Sequence, residues 1–580
     1  MQALDYDLVI LGSGIAGMTA AIHASKSLSK SKSIAIISKL HIMRSHSIAA
    51  EGGISGVLYP GKNNDSYELH GYDTAKGSDY LADQDAVEML VKNAPKEIRF
   101  FEHLGVPWSR NDSSDIVFRA FGGMSIKRTA FAADKTGFFM MRALYDTITQ
   151  IENITKYHEH FITKILIKNN KFLGLFGIDL ASGEPKLFTA KACIIATGGY
   201  SRVFNFTTTS HSATGDGTAI AYRAGIPLKD MEFIQFHPTA LVPNGILITE
   251  AARGEGGYLK NSKGTRFMEH YAKSVMELAP RDIVSRAIVS EISKGRGIVQ
   301  EGSMIKHVYL DLRHLGKDKL DERLPMIREI TIKSLGIDPV EEQIPVKPAA
   351  HFTMGGIHTD INGNVFTGDG KGKILGLWAI GEAGCVSVHG SNRLGSNSLS
   401  ECSVWGRIAG EAAAKLISKG GQANDNTAKE LGEDAEEELN KIIDSGGSTS
   451  PYYIKAELQK TMEAHMYVFR NKKGMEEARS RIAGLQAIYS DIFIADKGRV
   501  FNTNLRDALE IKNLLDLAGV AVACAINRKE SRGAHARVDY KKRDDRHWLK
   551  HTIAKQTAKG IEISYMPVVI RKWKPKPRKY

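Results

Sequence analysis

Asp7-Leu8-Val9-Ile10-Leu11-Gly12-Ser13-Gly14-Ile15-Ala16-Gly17 decides how this chain of 580 residues is read. The apolar run Asp7–Leu11 reads as a buried strand, and Met18 to Ser27 reads as a helix. Between them lies G-x-G-x-x-G. The first glycine permits a tight turn, the second lets the backbone approach a pyrophosphate, and the third lets helix and strand pack closely. The helix N-terminus then faces the phosphate. A lone match would be weak, but the strand–turn–helix setting makes it a dinucleotide site. A second apolar strand, Ser33 to Ile37, ends in Ser38-Lys39, where NAD-binding and many FAD-binding chains place an acid for the ribose. Ordinary NAD binding is thereby disfavoured.

Working outward, Arg44-Ser45-His46-Ser47-Ile48-Ala49-Ala50-Glu51-Gly52-Gly53 pairs a solitary imidazole with two adjacent glycines. One reading is an ordinary loop histidine. The other is a covalent bond from His46 to a flavin lying along Glu51-Gly52-Gly53. Residues 73–105 read as helix, with Val87, Leu90, Val91 and Ile98 on one face. Arg119-Ala120-Phe121-Gly122-Gly123-Met124 is a glycine-rich turn, and residues 156–190 read as strand and hairpin. Ala192 to Gly199 is a further apolar strand, expected to return under the cofactor. Thr214-Gly215-Asp216-Gly217 opens a helix, and Asp216 is placed to accept hydrogen bonds from flavin or ribose. From about residue 226, polar groups stand beside glycine or proline, which suits loops around a pocket. These groups are Gln235-Phe236-His237-Pro238-Thr239, Thr249-Glu250, Arg253-Gly254, Pro280-Arg281-Asp282, His351-Phe352 and His389 to Leu399. Gly420 to Thr427 reads as a polar linker. Residues 427–444 and 451–525 read as a structural helical bundle, and the chain beyond 526 reads as irregular and basic.

Composition sets the outer limits. With 42% hydrophobic and 25% charged residues, the chain is globular and large enough for more than one domain. No apolar run approaches the ~20 residues of a membrane helix. No basic-then-apolar leader opens the chain, which favours the cytosol or the cytosolic face of a membrane. Cys193, Cys385, Cys402 and Cys524 are far apart, and none forms C-x-x-C. Neither a disulfide framework nor an iron–sulfur site is indicated; if this protein moves electrons, another subunit must carry them away. Net charge is +13, and six of the last ten residues, Arg571 to Tyr580, are Lys or Arg. That tail reads as a solvated basic arm or a contact for an acidic partner such as the electron-transfer subunit. Nucleic-acid binding is disfavoured because no recognition motif accompanies the charge.

These ordered motifs together resemble the flavoprotein subunit of succinate dehydrogenase and fumarate reductase, from about residue 5 to the end. The strongest similarity lies at 44–53, 119–137, 235–257, 351–356 and 381–399. The resemblance implies an α/β fold: a two-dinucleotide-binding, Rossmann-like FAD domain with an inserted α+β capping domain and a C-terminal helical domain. The boundaries read as 1–225 with 345–420 for FAD binding, 226–344 for the cap, 421–540 for the helices and 541–580 for a basic segment. It also implies FAD in an 8α-histidyl link at His46. FAD contacts would come from Gly12, Ser13, Gly14, Ala16, Gly17, Ser38, Lys39, Ser45, Glu51, Gly52, Gly53, Asp216, Glu382, Ser398 and Leu399. Further implications are an iron–sulfur partner, indirect attachment to membrane-anchor subunits and a place at the cytoplasmic face of the cell membrane.

A C4 dicarboxylate needs cations or donors at both ends, a hydride partner on one face and a proton-transfer group on the other. By the resemblance, His237, Thr249, His351 and Arg393 hold the carboxylates, with Phe121 alongside. Arg281 is the proton shuttle and Glu250 its relay; a salt bridge from Arg281 to Asp282 is the structural alternative. Arg286 is read as structural. Ala252 stands where several relatives carry a cysteine. Glu51 and Phe121–Met124 look more like the fumarate-reductase branch. The competing reading is L-aspartate oxidase, which binds FAD non-covalently and lacks the linking histidine. A flavin scaffold or nucleic-acid binder would leave the pocket residues unexplained.

Overall fold

A computed structural model describes residues 1–61, 64–299, 305–420 and 425–579. Half of the expected linker, 421–424, and Tyr580 of the tail lie outside the described residues. The central sheet orders its strands Asn364–Phe366, Lys373–Ala379, Lys171–Asp179, Pro185–Ile195, Gln2–Leu11, Ile34–Ile37 and Ile154–Tyr157. Strand Gln2–Leu11 runs parallel to both neighbours, with Leu8 opposite Ile34 on one side and Ala192 on the other. The strand expected to return beneath the cofactor therefore lies directly beside the first. Such strands are buried on both faces, which is why they read as unbroken apolar runs rather than alternation. Val9, Ile10, Ile36 and Ile194 are fully buried, each contributing roughly 1.5–3 kcal/mol from burial.

Helices Ile15–Ser27 and Asn397–Ser418 pack against each other, and both contact this sheet. The packing is close because glycines permit it. A Cβ on Gly12, where φ is +113°, would sit 2.2 Å from the Ala196 carbonyl oxygen, and one on Gly17 would sit 2.0 Å from the Gly12 oxygen.

A second, antiparallel sheet joins Ile234–Leu241, Ile344–Thr353, Val308–Asp311 and Tyr258–Lys260 over its own core, which includes Leu259, Val284, Ile288 and Leu310. The stretch read as one helix over 73–105 is two, Tyr67–Gly77 and Gln84–His103. Asp79 and Tyr80 adopt left-handed φ of 54° and 61° and break it. The helices Pro451–His465, Lys472–Ile488 and Thr503–Asn527 share one apolar core with the sheet, reaching Val9, Ile195 and Tyr200.

The chain beyond 526 is not irregular. Strands Lys550–Thr557 and Gly560–Pro567 form a hairpin that pairs with Leu228–Lys229. Its first strand, Lys550–Thr557, shows no clean apolar alternation, and basic composition hid a strand in which His551, Thr552 and Ala554 are fully buried. No described helix is long and apolar enough to cross a membrane.

Candidate active site

One continuous cleft runs from the glycine turn to the polar block at 235–281 and 351–399. Of the residues read as functional, only Gly17 does not line it; Gly17 serves by packing instead. At the nucleotide end, Gly14 opens helix Ile15–Ser27 without a side chain of its own to cap it; Ile15 N–H donates to Ser47 Oγ at 3.3 Å, and Gly14, Ile15 and Ala16 line the cleft. Ser13 Oγ donates to Ser38 Oγ at 3.0 Å.

Lys39 stands where an acid was anticipated, and the structure shows how its charge is balanced. Its Nζ lies 2.7 Å from Asp216 Oδ2 and 2.7 Å from Glu510 Oε1. Burial disfavours the ammonium, but these two carboxylates outweigh it and raise the lysine pKa. Asn513 Nδ2 donates to Asp216 Oδ1 at 2.8 Å. Glu510 and Asn513 both sit on helix Thr503–Asn527, so that helix is more than structural support.

His46 begins a short helical turn, and its Nδ1 accepts from the Ser210 backbone N–H at 3.3 Å. Burial, then Arg202 and Arg393, push its imidazole down to about 4, so the ring is neutral near pH 7. The Glu51 carboxyl is buried beside Asp134, and both burial and that neighbour push it well above the ordinary carboxylate range. Burial likewise pushes the Glu382 carboxyl up to about 7, although it accepts from Thr353 N at 2.8 Å.

At the polar end, each group is placed by a different element. Arg281 is the first residue of helix Arg281–Glu291. Its Nε donates to Glu250 Oε2 at 2.7 Å and its Nη1 to Gln235 Oε1 at 3.1 Å. The salt bridge to Asp282 is absent: Asp282 turns the other way and pairs with Arg286 and Arg578. Arg286, read as structural, also donates to the Gly533 carbonyl at 2.7 Å.

Glu250 Oε1 accepts the Gly122 N–H at 2.7 Å, an approach only glycine allows, since a Cβ there would lie 2.6 Å from that oxygen. Burial alone would raise the Glu250 carboxyl, but Arg281 and Arg253 hold it below its ordinary value. Thr249 caps helix Glu250–Gly254 by accepting Ala251 N–H, which leaves its hydroxyl hydrogen to donate.

His237 and His351 stand with ring centroids 5.0 Å apart. The Nδ1 atoms are engaged by Thr239 N–H at 3.3 Å and Thr208 Oγ1 at 2.6 Å respectively, leaving each Nε2 for a ligand. Burial, then Arg281, keeps both rings neutral, with pKa values well below the ordinary 6.5. Arg393 lies over the Phe352 ring at 4.4 Å and donates to Ser398 Oγ at 3.2 Å. Burial and the neighbouring Arg281 push its guanidinium down to about 9, still charged at neutral pH. Phe121 is wedged between Gly52 and Gly395. Two buried guanidiniums beside two neutral imidazole donors favour a dianion.

The cleft residues fit a flavin dinucleotide. Besides the glycine cradle, Glu51 Oε2, Thr197 Oγ1, Ser396 Oγ and Arg393 Nε line the cleft as buried polar atoms without a protein partner among the described residues. A ligand rich in heteroatoms would satisfy them.

Sequence reading missed Arg253 and Gln235 as site residues. Arg253 is fully buried three residues after Glu250, with Nη2 3.6 Å from Glu250 Oε1. The E-x-x-R spacing on one helical face was the available signal. Gln235 was quoted in its motif, but nothing local showed that it touches Arg281.

The thiol at Cys402 also lines the cleft, and Ala252 is fully buried. Burial raises all four thiols, Cys385 to about 12. Alkylation with N-ethylmaleimide at pH 7 is therefore expected to leave turnover unchanged. Inactivation that a dicarboxylate prevents would contradict this.

The fold and this cleft define a FAD-dependent oxidoreductase. Residues 7–399 match the FAD binding domain family, and residues 455–580 match the fumarate reductase flavoprotein C-terminal family. The chain is 42% identical over 592 residues to a fumarate reductase flavoprotein subunit of Mycobacterium tuberculosis, covering 99% of each. It is 43% identical over 577 residues to a succinate dehydrogenase flavoprotein subunit of Rickettsia bellii, covering 97% of this chain and 95% of the other. A solved Escherichia coli quinol fumarate reductase chain superimposes with a TM-score of 0.95 at 41% identity, covering 100% and 99%. The chain belongs to the fumarate reductase and succinate dehydrogenase flavoprotein family.

Proposed function

We propose that this chain is the catalytic subunit that interconverts succinate and fumarate. The observation that carries this reading is the convergence of Arg281, Arg393, His237, His351 and Thr249 at one end of a cleft whose other end is a dinucleotide cradle. Bound FAD supplies the acceptor and donor of hydride. Arg393, His351, His237 and Thr249 hold the two carboxylates and so align the reacting carbons, and this positioning supplies much of the barrier reduction. In fumarate reduction, Arg281 gives a proton to the alkene carbon opposite the one that receives hydride. Glu250, ionised at rest, then relays a proton to Arg281 by first taking it from Arg253, which lies behind it. Succinate oxidation is the reverse.

His46 is the covalent anchor, through Nε2, because Nδ1 is held by Ser210. The nucleotide half is held by Gly12, Ser13, Gly14, Ala16, Ser38 and Lys39, with Asp216, Glu382, Ser398 and Leu399 further along the cleft. We take residues 226–344 as the cap over this site. The chain acts within a complex, passing electrons to an iron–sulfur subunit and then to quinone, and lies peripherally on the cytoplasmic face of the cell membrane. L-aspartate oxidase activity is disfavoured by His46.

The flavinylated protein is expected to reduce fumarate with reduced viologen, to oxidise succinate with an artificial acceptor, and to be inhibited competitively by malonate. Oxidation of L-aspartate without fumarate or succinate turnover would overturn the reading.

A further inference from the structure

The basic tail is neither a free arm nor merely a handle for another subunit; it lies back on its own chain. Gln84 Oε1 accepts the backbone N–H groups of Arg571, Lys572 and Trp573 at 2.8, 2.7 and 3.0 Å. The Trp573 indole fills the space over Gly71, where a Cβ would come within 2.5 Å of it. Beyond it, the side chain of Arg578 is only 8% exposed. Its Nη2 donates to Asp282 Oδ2 at 2.6 Å, and its Nε lies 3.1 Å from Asp79 Oδ1.

One of those carboxylates follows Arg281 on its own helix, and the other sits in a turn bonded to the segment that leads into Arg393. Asp282 follows Arg281 in the first turn of its helix. Asp79 belongs to the turn that holds the residues before Arg393: Ser391 Oγ donates to Ser78 O at 2.7 Å, and Asn392 Nδ2 donates to Gly77 O at 2.9 Å. On the inner side, Gln235 ties the same pair, accepting from Arg281 and donating to the Arg393 carbonyl at 2.8 Å. Arg281 and Arg393 are like charges in a buried site, and Arg281 disfavours the charged form of Arg393. Their spacing therefore has to be imposed by the scaffold.

We propose that Arg578 is a positioning residue that fixes the spacing of Arg281 and Arg393 by bridging Asp282 to Asp79 behind the site. This rests on the function proposed above. The planar guanidinium spans two carboxylates as an ammonium cannot. Asp282 keeps Arg286 and Asp79 keeps Arg543 when Arg578 is removed, so neither carboxylate is left unpaired and the variant should fold.

The test uses Arg578→Ala in the complete flavinylated complex, with fumarate reduction and succinate oxidation expressed per bound flavin. A full 1 Å displacement can cost ~100-fold in rate; for a smaller one, kcat is expected to fall about tenfold. KM should stay within about threefold, because the carboxylate-binding groups remain. The solvent deuterium isotope effect on kcat should grow, since delivery of the proton from Arg281 becomes slower. Asp282→Asn should reproduce the loss, and the double variant should lose no more than either single one. Lys574→Ala with Lys576→Ala, on exposed tail residues, should change nothing. A per-flavin kcat and isotope effect equal to wild type would overturn the proposal, and so would a loss of activity that merely tracks lost flavin. Wild-type protein without dicarboxylate turnover would instead sink the proposed function itself, and this inference with it.

Discussion

Arg281→Leu is expected to bind a dicarboxylate and scarcely turn it over. A general acid in the transition state contributes ~10²–10⁴-fold in rate, and Arg281 has no substitute placed at its position. Free arginine is ordinarily a permanent cation, so it can serve as an acid only if its proton is replaced at once. The structure supplies the means of replacement. Glu250 lies 2.7 Å from Arg281 Nε, and Arg253 lies 3.6 Å behind Glu250, with both ends of that second pair fully buried. Arg281 and Arg253 keep Glu250 ionised at neutral pH despite its burial.

Removal of Arg281 takes away one of two cations, while Arg393, both imidazoles and Thr249 stay. Dicarboxylate Kd should therefore rise by no more than about tenfold, or ~1.4 kcal/mol. Titration of the flavin spectrum with fumarate measures binding, and viologen-coupled reduction measures kcat. Near-normal kcat would rule out the shuttle role. Loss of binding with no further loss of rate at saturation would recast Arg281 as a carboxylate anchor only.

The second large effect is expected at His46. Intact-mass measurement under denaturing conditions should show flavin retained by the wild type and released from His46→Ser. The imidazole suits the bond because one nitrogen is already occupied. With Nδ1 accepting from Ser210 N–H, a substituent on Nε2 costs no existing hydrogen bond. A folded-state pKa of about 4 leaves the ring unprotonated and nucleophilic at neutral pH.

The same shift has a stability consequence of definite sign. Between the ordinary 6.5 and about 4, the unfolded chain binds the proton and the folded chain does not. Unmodified protein should therefore lose stability as pH falls through that window, and His46→Ser should lose less. Flavin released from both proteins under denaturing conditions would remove the covalent assignment.

How much of this was legible in the sequence depended on the range of the interactions involved. The glycine turn is a local object: a strand, a turn that tolerates positive φ and a helix start follow one another within 20 residues, so the order of residues suffices. The same holds for His46 beside Gly52 and Gly53. Single polar residues in the block from 235 to 393 were readable as site candidates through the resemblance, because family motifs preserve residue type and spacing. Most of their partners were not readable. Glu250 was named as the relay of Arg281 only through the resemblance, with the adjacent Asp282 as the structural alternative; a helix projects successive side chains about 100° apart, and Arg281 turns to Glu250. The tail misled in a related way. Six basic residues in ten signal solvation, and nothing local marks Gln84, Asp79 and Asp282 as their hosts.

The sequence by itself determined the nucleotide cradle and the apolar central strands, and its resemblance to a known family supplied His46 and the residue types proposed for the dicarboxylate pocket. These depend on turn geometry, hydrophobic period and chemistry carried by each side chain. Only the tertiary structure decided which charges meet. Lys39 is neutralised by Asp216 and by Glu510 from a helix 471 residues away. Arg281 pairs with Glu250, which Arg253 approaches from the other side, and Arg578 pairs with Asp282 and Asp79. The physical reason is that pairing energies depend on distance and desolvation, and both are set by packing between segments that the chain order keeps far apart.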